Sequence, residues 1–545
     1  MRTRRLTPAS RLCISLLALA ACGSGGGGDS ARFPDSAPTD LVAIVADFDD
    51  DGETINQLIV SDVQGRGHTV FTDFVDPSSR GVKREGLVWS PDHTRLAFLA
   101  RPDGSQFAHV YVLEPQYGEP LDILGTEIEA SELDLSFTTL AWSPDGTRLS
   151  FTASDGGGVS RVFLVDPDGS DLLDLFPLCP AGSENMKGRA AWAPDSSRIA
   201  VEVQLAGTAG ERVFTFRPDG ADFADVTSSP VPIEDARVDD VRWNPQSTHL
   251  LIRGELEEAN FADVYVNRPV ANSDYDRVSP HTGGGAVTHA AWSPDGSRIA
   301  YLADLESASI EVFTVAPNGT GNVKVSGSMV AGGTVTQLFW APDGSRIAFL
   351  SDRLTDDQFE LFTVQPTGAG LLTVSLPLIA DGGVALPLND VGEVESPWSP
   401  DSTRLAYLAD AVVDGTYDAH LVNAGGGDAR PLTAAAAGCE IQRLRWSPDG
   451  GHLLLEGELT AADVRNVFVI DAVVPTPPLQ VSFATVVGAS ANGHDWSADG
   501  AFVTFDEGAS SAPGSATLGR SCPRGVLDVR DLADPVEDLQ LIRTR

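Results

Sequence analysis

The chain is short of cysteine, of positive charge and of long apolar runs, and each shortage removes a class of protein. Five cysteines are spread over 545 residues, at Cys13, Cys22, Cys179, Cys439 and Cys522, with no CxxC pair among them. A cysteine-built metal site is disfavoured, and the three thiols beyond Cys22 allow at most one disulfide. Lys and Arg number 37 against 77 Asp and Glu, a formal charge of −40. Phosphate backbones and anionic headgroups repel such a surface, so nucleic acid is not a partner. Beyond the first thirty residues no apolar run reaches the ~18 residues of a spanning helix. No GxSxG nucleophile elbow occurs, and no Ser/His/Asp grouping has a recognisable spacing. Helical periodicity is missing too. What remains is 42% hydrophobic, enough for a packed core and too much for general disorder.

The N-terminus reads as an address. Arg2, Arg4, Arg5 and Arg11 precede an apolar stretch from Leu12 to Ala21, the length of a signal-peptide core. The stretch ends Leu19-Ala20-Ala21-Cys22, which resembles the lipobox of bacterial lipoproteins, where the cysteine becomes the acylated first residue. Gly23 to Gly28 (GSGGGG) then supplies a flexible tether. Cleavage would remove four arginines and no acid, taking the formal charge from −40 to −44. Glycine, not aspartate, follows Cys22, which by the same resemblance implies the outer membrane, on its periplasmic or surface side. Residues 1–21 are thus expected to be a signal peptide, 22–40 a lipidated tether, and 41–545 the folded body.

That body is one phrase repeated. All nine tryptophans (Trp89, Trp142, Trp192, Trp243, Trp292, Trp340, Trp398, Trp446 and Trp496) recur at intervals of 48 to 58 residues. Each opens a version of WSPDGSRIAFL, as in AAWSPDGSRIAYLA from Ala290. Pro presets the turn, Gly takes its left-handed position, and the period-two alternation after it is that of a strand buried on one face. Two more strands follow in each repeat, such as Glu311 to Val315 and Val323 to Val325. Four short antiparallel strands in about fifty residues make a β-propeller blade, with the indole as a wedge between neighbours. Residues 41–48, 57–63 and 68–75 read as a three-stranded unit without the phrase. The chain end supplies strands at Trp496, Phe502–Phe505, Val526–Val529 and Leu539–Ile542. The expected fold is all-β: a propeller of about ten units in one ring, or two smaller propellers of about five blades.

The WSPDG…RIAF phrase resembles the repeats of TolB-family propellers, which also occur in the propeller halves of tricorn-type and prolyl-oligopeptidase-type proteases. The resemblance covers roughly residues 40–545. It implies a cell-envelope, protein-binding role, and no catalytic domain is expected beyond the blades.

Two sets of residues are candidate sites. The residue three before each Trp changes from blade to blade while its surroundings do not: Arg189, Asp240, His289, Gln337, Glu395 and Arg443. On an innermost strand these side chains would line a channel and hold a polar ligand; the alternative is a solvated wall. Asp47, Asp49 and Asp51, before Gly52, match the D-x-D-x-D-G opening of a calcium loop, although Leu58 stands where an EF-hand has Glu. The alternative is an acidic turn with no cofactor. The expected function is a lipid-anchored, non-enzymatic scaffold that binds an envelope protein or a small polar ligand. Its rivals are a propeller lyase or hydrolase with a channel-mouth site, whose histidines (His289, His420, His494) would converge, and a calcium-stabilised adhesion module.

Overall fold

The computed structural model describes residues 41–46, 57–62, 69–71 and 82, then most of 87–509 with short gaps, and 525–528. Cys22, Cys439, Cys522, the Asp47–Asp51 run and the strand expected at Leu539–Ile542 lie outside the described residues. The described residues form ten antiparallel sheets: eight of four strands, and three-stranded ones first and last. This is a multi-blade β-propeller chain. The chain divides at Ser279/Pro280 into two compact units, each containing five sheets. Among the described residues the one helical segment with its own bounds is a single 3-10 turn, Phe176–Leu178.

Blade 1 consists of Leu41–Ala46, Gln57–Asp62 and Thr69–Phe71, close to the expected strands. A full blade is illustrated by Val287–Trp292, Ile299–Ala303, Glu311–Val315 and Val323–Lys324. Its second and third strands are buried throughout. They carry stacked rings, Tyr301 on Phe313 at 5.4 Å, as Phe349 stacks on Phe362 in the following blade at 5.3 Å. The first strand carries a bulge four residues before Trp, where the register slips between Val287 and His289.

The repeat is stitched together by the indole. Trp142 Nε1 donates to the Val88 carbonyl at 3.0 Å, Trp243 to Ala191 at 2.9 Å, and Trp446 to Pro397 at 3.0 Å. Trp340, Trp398 and Trp496 donate to Ala291, Phe339 and Arg445. In every case the acceptor is the residue just before the Trp of the preceding blade. Trp192 reaches the same point by relay: it donates to Ser150 Oγ at 3.0 Å, and Ser150 Oγ donates to the Ala141 carbonyl at 3.3 Å.

The turn after Trp has its own wiring. Ser143 Oγ donates to Asp145 Oδ1 at 2.6 Å and accepts the Arg148 amide at 3.0 Å, a pattern repeated at Ser90, Ser293, Ser399 and Ser447. At Asp92, Asp295 and Asp449 this serine hydroxyl is the largest influence on the carboxyl, and it holds the group below its ordinary value. Three copies replace the turn glycine by serine in the left-handed region, Ser196, Ser247 and Ser402, at φ of 60°, 59° and 62°. Each of these hydroxyls accepts the backbone N–H of the turn acid one blade earlier: Asp145, Asp195 and Asp343, at 2.9 to 3.0 Å. The departures from glycine are blade-to-blade latches.

The longest repeat explains itself. Val384–Ala385 pairs with Ala409 and Leu408 as the inner strand of blade 8, while Trp398, fourteen residues on, makes an isolated bridge to Leu405. In blade 7 the equivalent Val335 is five residues before Trp340. The extra residues enter at the bulge, where a strand already tolerates an unpaired residue.

Two stability outcomes follow. Trp446→Phe takes one of two donors from the Pro397 carbonyl, which keeps the Ala406 amide at 2.8 Å, and should cost about 0.5–1.5 kcal/mol more than Trp192→Phe, because Ser150 keeps its bond to Ala141 in the latter. Urea-unfolding midpoints of the two variants give that difference. Ser402→Ala keeps the left-handed residue without its latch and should destabilise by about 1–2 kcal/mol, whereas Ser402→Gly relieves the backbone and should be near neutral. Thermal melts of the pair check this.

Candidate functional site

The position three before Trp lies immediately after the inner-strand bulge, so its backbone is set by the fold and its side chain is free to vary. The structure divides the six candidates between the two units. Arg189 and Asp240 belong to the first; His289, Gln337, Glu395 and Arg443 belong to the second. They form no single described cluster.

In the first unit the inner strands of three consecutive blades border a cavity of ≈ 230 Å³. Thr139 and Ala141 come from blade 3 (Leu140–Trp142 and its approach), Ala190 and Ala191 from blade 4 (Ser183–Trp192), and Asp240 and Val241 from blade 5 (Arg237–Trp243). Second strands add Ser150, Phe151, Ala200, Val201 and Glu202. The positions one and two before Trp192 are both alanine, as they are before Trp292, where blade 7 has Phe339 and Leu338. Glu202 is 5% exposed, a carboxylate set in the wall. Asp240 is partly exposed and accepts Arg242 Nε at 2.7 Å. Ser150 is committed to the tryptophan relay, and Thr139 Oγ1 lies 3.3 Å from Thr152 Oγ1. The Arg189 backbone is in the Ser183–Trp192 strand; its side chain lies outside the described residues.

In the second unit the candidates take different surroundings. Glu395 is not in a strand: it lies at the end of the excursion that widens blade 8, with its amide on the Pro387 carbonyl. Arg445 of the next blade holds it, with Nε and Nη2 at 2.9 and 2.6 Å from Oε1. Arg443 Nη1 pairs across the strands with Glu456 at 3.2 Å, and Arg465 Nη1 approaches the same carboxylate at 3.6 Å. Glu456 is fully buried. His289 is half-buried opposite Leu302, and the Gln337 side-chain oxygen is buried without a hydrogen-bond partner among the described residues. His420 is on a third strand, 1% exposed and stacked on Tyr407 at 5.4 Å; burial pushes its pKa down. It is a neutral core ring, remote in kind from a rim metal ligand.

The sequence reading missed Glu202 and Glu456, and a signal for them existed. Both stand ten residues after Trp, on the strand facing the variable position. Glu202 is opposite the bulge that carries Arg189, Arg253 pairs with Asp240, and Glu456 with Arg443. In blade 9 the opposed charges meet, whereas Arg253, in register with Asp240, reaches Asp239 at 2.9 Å.

For a cation, the described residues offer Asp352, Asp356 and Asp357, with ligand atoms within 4.8 Å of one another. Asp352 Oδ1 and Oδ2 already accept the Thr334 and Asp357 amides, which accounts for its burial without an ion. Cys179, half-buried, is pushed up to about 12 by burial first and by Asp174 second, and is an unreactive thiol.

The charge pair in blade 9 sets a testable asymmetry. Glu456→Gln leaves two arginines that can reach water and should cost about 1–2 kcal/mol; the Arg443→Ala/Arg465→Ala double variant removes both cations from a buried carboxylate and should cost about 3–5 kcal/mol. Denaturant titration at neutral pH measures both.

Comparison with known proteins gives limited likenesses. The model of the lipoprotein LpqB β-propeller domain family matches residues 270–391. No curated protein matches the chain. Among solved structures, dipeptidyl peptidase 4 of Porphyromonas gingivalis is similar at 13% identity and a TM-score of 0.47, over 77% of this chain and 62% of that one. The chain thus spans less than two thirds of that peptidase. Oligogalacturonate lyase of Vibrio parahaemolyticus is similar at 12% identity and a TM-score of 0.34, over 71% of this chain and 98% of that one. An oligogalacturonate lyase in complex with manganese shows 13% identity and a TM-score of 0.36, over 70% of this chain and 96% of that one. No helix among the described residues is long and apolar enough to cross a membrane. Strand topology describes a multi-blade β-propeller, and residues 270–391 of it are similar to the β-propeller domain of the lipoprotein LpqB family.

Proposed function

We propose that this chain is a lipid-anchored binding module of the bacterial cell envelope, without catalytic activity of its own, that takes a small polar ligand on the inner strands of its first unit. The TolB-like resemblance is extended only as far as the propeller and its envelope setting, with Cys22 as the outer-membrane anchor.

One observation carries the reading. The residues the repeat keeps constant are spent on structure, tryptophan on the preceding blade and serine on the turn acid. Residues the repeat lets vary, Thr139 and Asp240, border one cavity together with Glu202. A propeller that freezes its frame and varies its inner strands is built for recognition. Among the described lining residues no hydrogen bond pairs a nucleophile with a base, and the serine is hydrogen-bonded at both ends.

The test has two parts. Cys22→Ala in the native host should move the protein from the membrane pellet to the soluble fraction and abolish palmitate labelling; retention in the pellet would refute the anchor. Native mass spectrometry of the protein released from its own envelope should show a small-molecule adduct that Ala190→Leu eliminates. An adduct equal in both, or absent from both, would refute binding at the inner strands.

A further inference from the structure

One turn of the repeat is rewritten. Between the third and fourth strands the chain reverses through a polar residue and a glycine, as at Asp168-Gly169, Asn318-Gly319 and Thr367-Gly368, with glycine φ of 84°, 76° and 83°. Blade 9 has Val473-Val474 at this place, followed by Pro475-Thr476-Pro477-Pro478. We infer that this loop is a docking peptide presented at the propeller surface, and that its partner is a protein with an aromatic-lined groove for a polyproline II segment.

Conformation comes first. A β-branched residue does not readily take the left-handed conformation that closes the turn. Every residue from Val474 to Pro478 is a proline or stands before one. Proline fixes φ at about −65°, and a residue before proline is pushed to extended or polyproline II backbone. Residues 475–478 are accordingly neither turn nor strand, and among the described residues no backbone hydrogen bond falls on them. Polyproline II has about three residues per turn, so Pro475 and Pro478 share one face.

Anchoring comes second. The Ala472 carbonyl stands where Pro366 and Ala424 have theirs, and all three are held by the preceding blade. Thr314 and Thr363 donate to the other two; Arg404 Nη1 and Arg430 Nη2 donate to Ala472 at 2.8 and 3.2 Å. The Ala472 amide donates to the Gly451 carbonyl at 2.9 Å. Asp471 Oδ1 accepts the Val473 and Val474 amides at 2.7 and 2.8 Å, in place of the lost glycine turn. Above this fixed base Val473 and Val474 are 65% and 54% exposed, the most exposed large apolar side chains among the described residues.

A stiff apolar segment binds with little ordering left to do. Polyproline II segments are taken by grooves lined with aromatic rings, through apolar contact and the preformed backbone. A lipid surface suits the loop less, because residues 473–478 include no Lys, Arg or aromatic anchor on a chain of formal charge −40.

Photo-crosslinking in the native host tests this, with p-benzoylphenylalanine replacing Thr476 in the full-length chain or, as control, Asn318 in the matching turn of blade 6. The Thr476 site should give a protein adduct that the Asn318 site does not, and the cross-linked partner peptide should belong to a groove lined by aromatic residues. A synthetic peptide of residues 471–480 should lower the yield about tenfold or more. So should Val473→Ser/Val474→Ser and Pro475→Gly/Pro478→Gly, with thermal midpoints close to the parent's because these side chains stand at the surface. Peptide competition uses no variant and stays decisive if a substitution disturbs the blade. No adduct, a lipid adduct alone, or an adduct shared with the Asn318 site would overturn the inference. So would an adduct that the peptide does not reduce, or a partner peptide from a surface without aromatic residues.

Discussion

A single hydrogen bond organises this protein. An indole N–H reaches back one blade to the carbonyl beside the previous tryptophan, at 2.9 to 3.4 Å in the six direct copies. Both partners belong to the same short inner-strand phrase, so a blade can be donor to one neighbour and acceptor from the next, as the blades of Trp142, Trp340, Trp398 and Trp446 are. The bond couples sheets that share no strand pairing. At the blade 8–9 seam the same carbonyl oxygen also accepts the Ala406 amide of its own blade at 2.8 Å, so one atom ties a blade's internal bonding to its neighbour. The blade 3–4 seam shows how strict the need is. There the indole finds a serine hydroxyl in place of the carbonyl, and the hydroxyl passes the bond on to the same carbonyl.

The constraint sets where variation is allowed. The tryptophan, its turn serine and its turn acid are all committed, and the residue before each tryptophan contributes its backbone. The bulge behind them is the nearest point at which the inner strand is not fully paired. Blade 8 inserts extra residues there, and Asp240 and Arg443 stand just after it. Length and chemistry thus vary at one spot because the ladder is already interrupted at that spot.

Much of this was legible in the sequence, and what was hidden has a physical reason. Nine tryptophans in step dictate four-stranded blades, since Pro and Gly fix the turn and alternation fixes the strands. The three-stranded first unit was visible in residues 41–75 without any tryptophan at all. Two smaller propellers of about five blades stood as the alternative to one ring, but the place of a division, after Ser279, was not legible, because the phrase runs through it unchanged and compactness depends on contacts between blades. Serine in place of the turn glycine bonds across the seam, a contact that no single repeat displays. Parity placed the variable residues on one face, but parity counts along an unbroken strand. Glu395 escapes it because the chain leaves the strand before reaching that position.

The large excess of acid looks like a global property and resolves into local uses. Turn aspartates are spent on serine hydroxyls and backbone amides, which is why they stay ionised below the ordinary range. Buried acids are placed beside cations: Asp263 by Arg277, Glu311 by Lys324, Glu456 by Arg443 and Arg465. With 37 basic residues for 77 acids, cations are the scarce partner, and the fold places them where a carboxylate would otherwise be buried unmatched. Opposite charges facing each other across an inner-strand bulge therefore carry more information than net charge does. They identify the wall positions whose chemistry is chosen blade by blade, on a frame that the tryptophans hold constant.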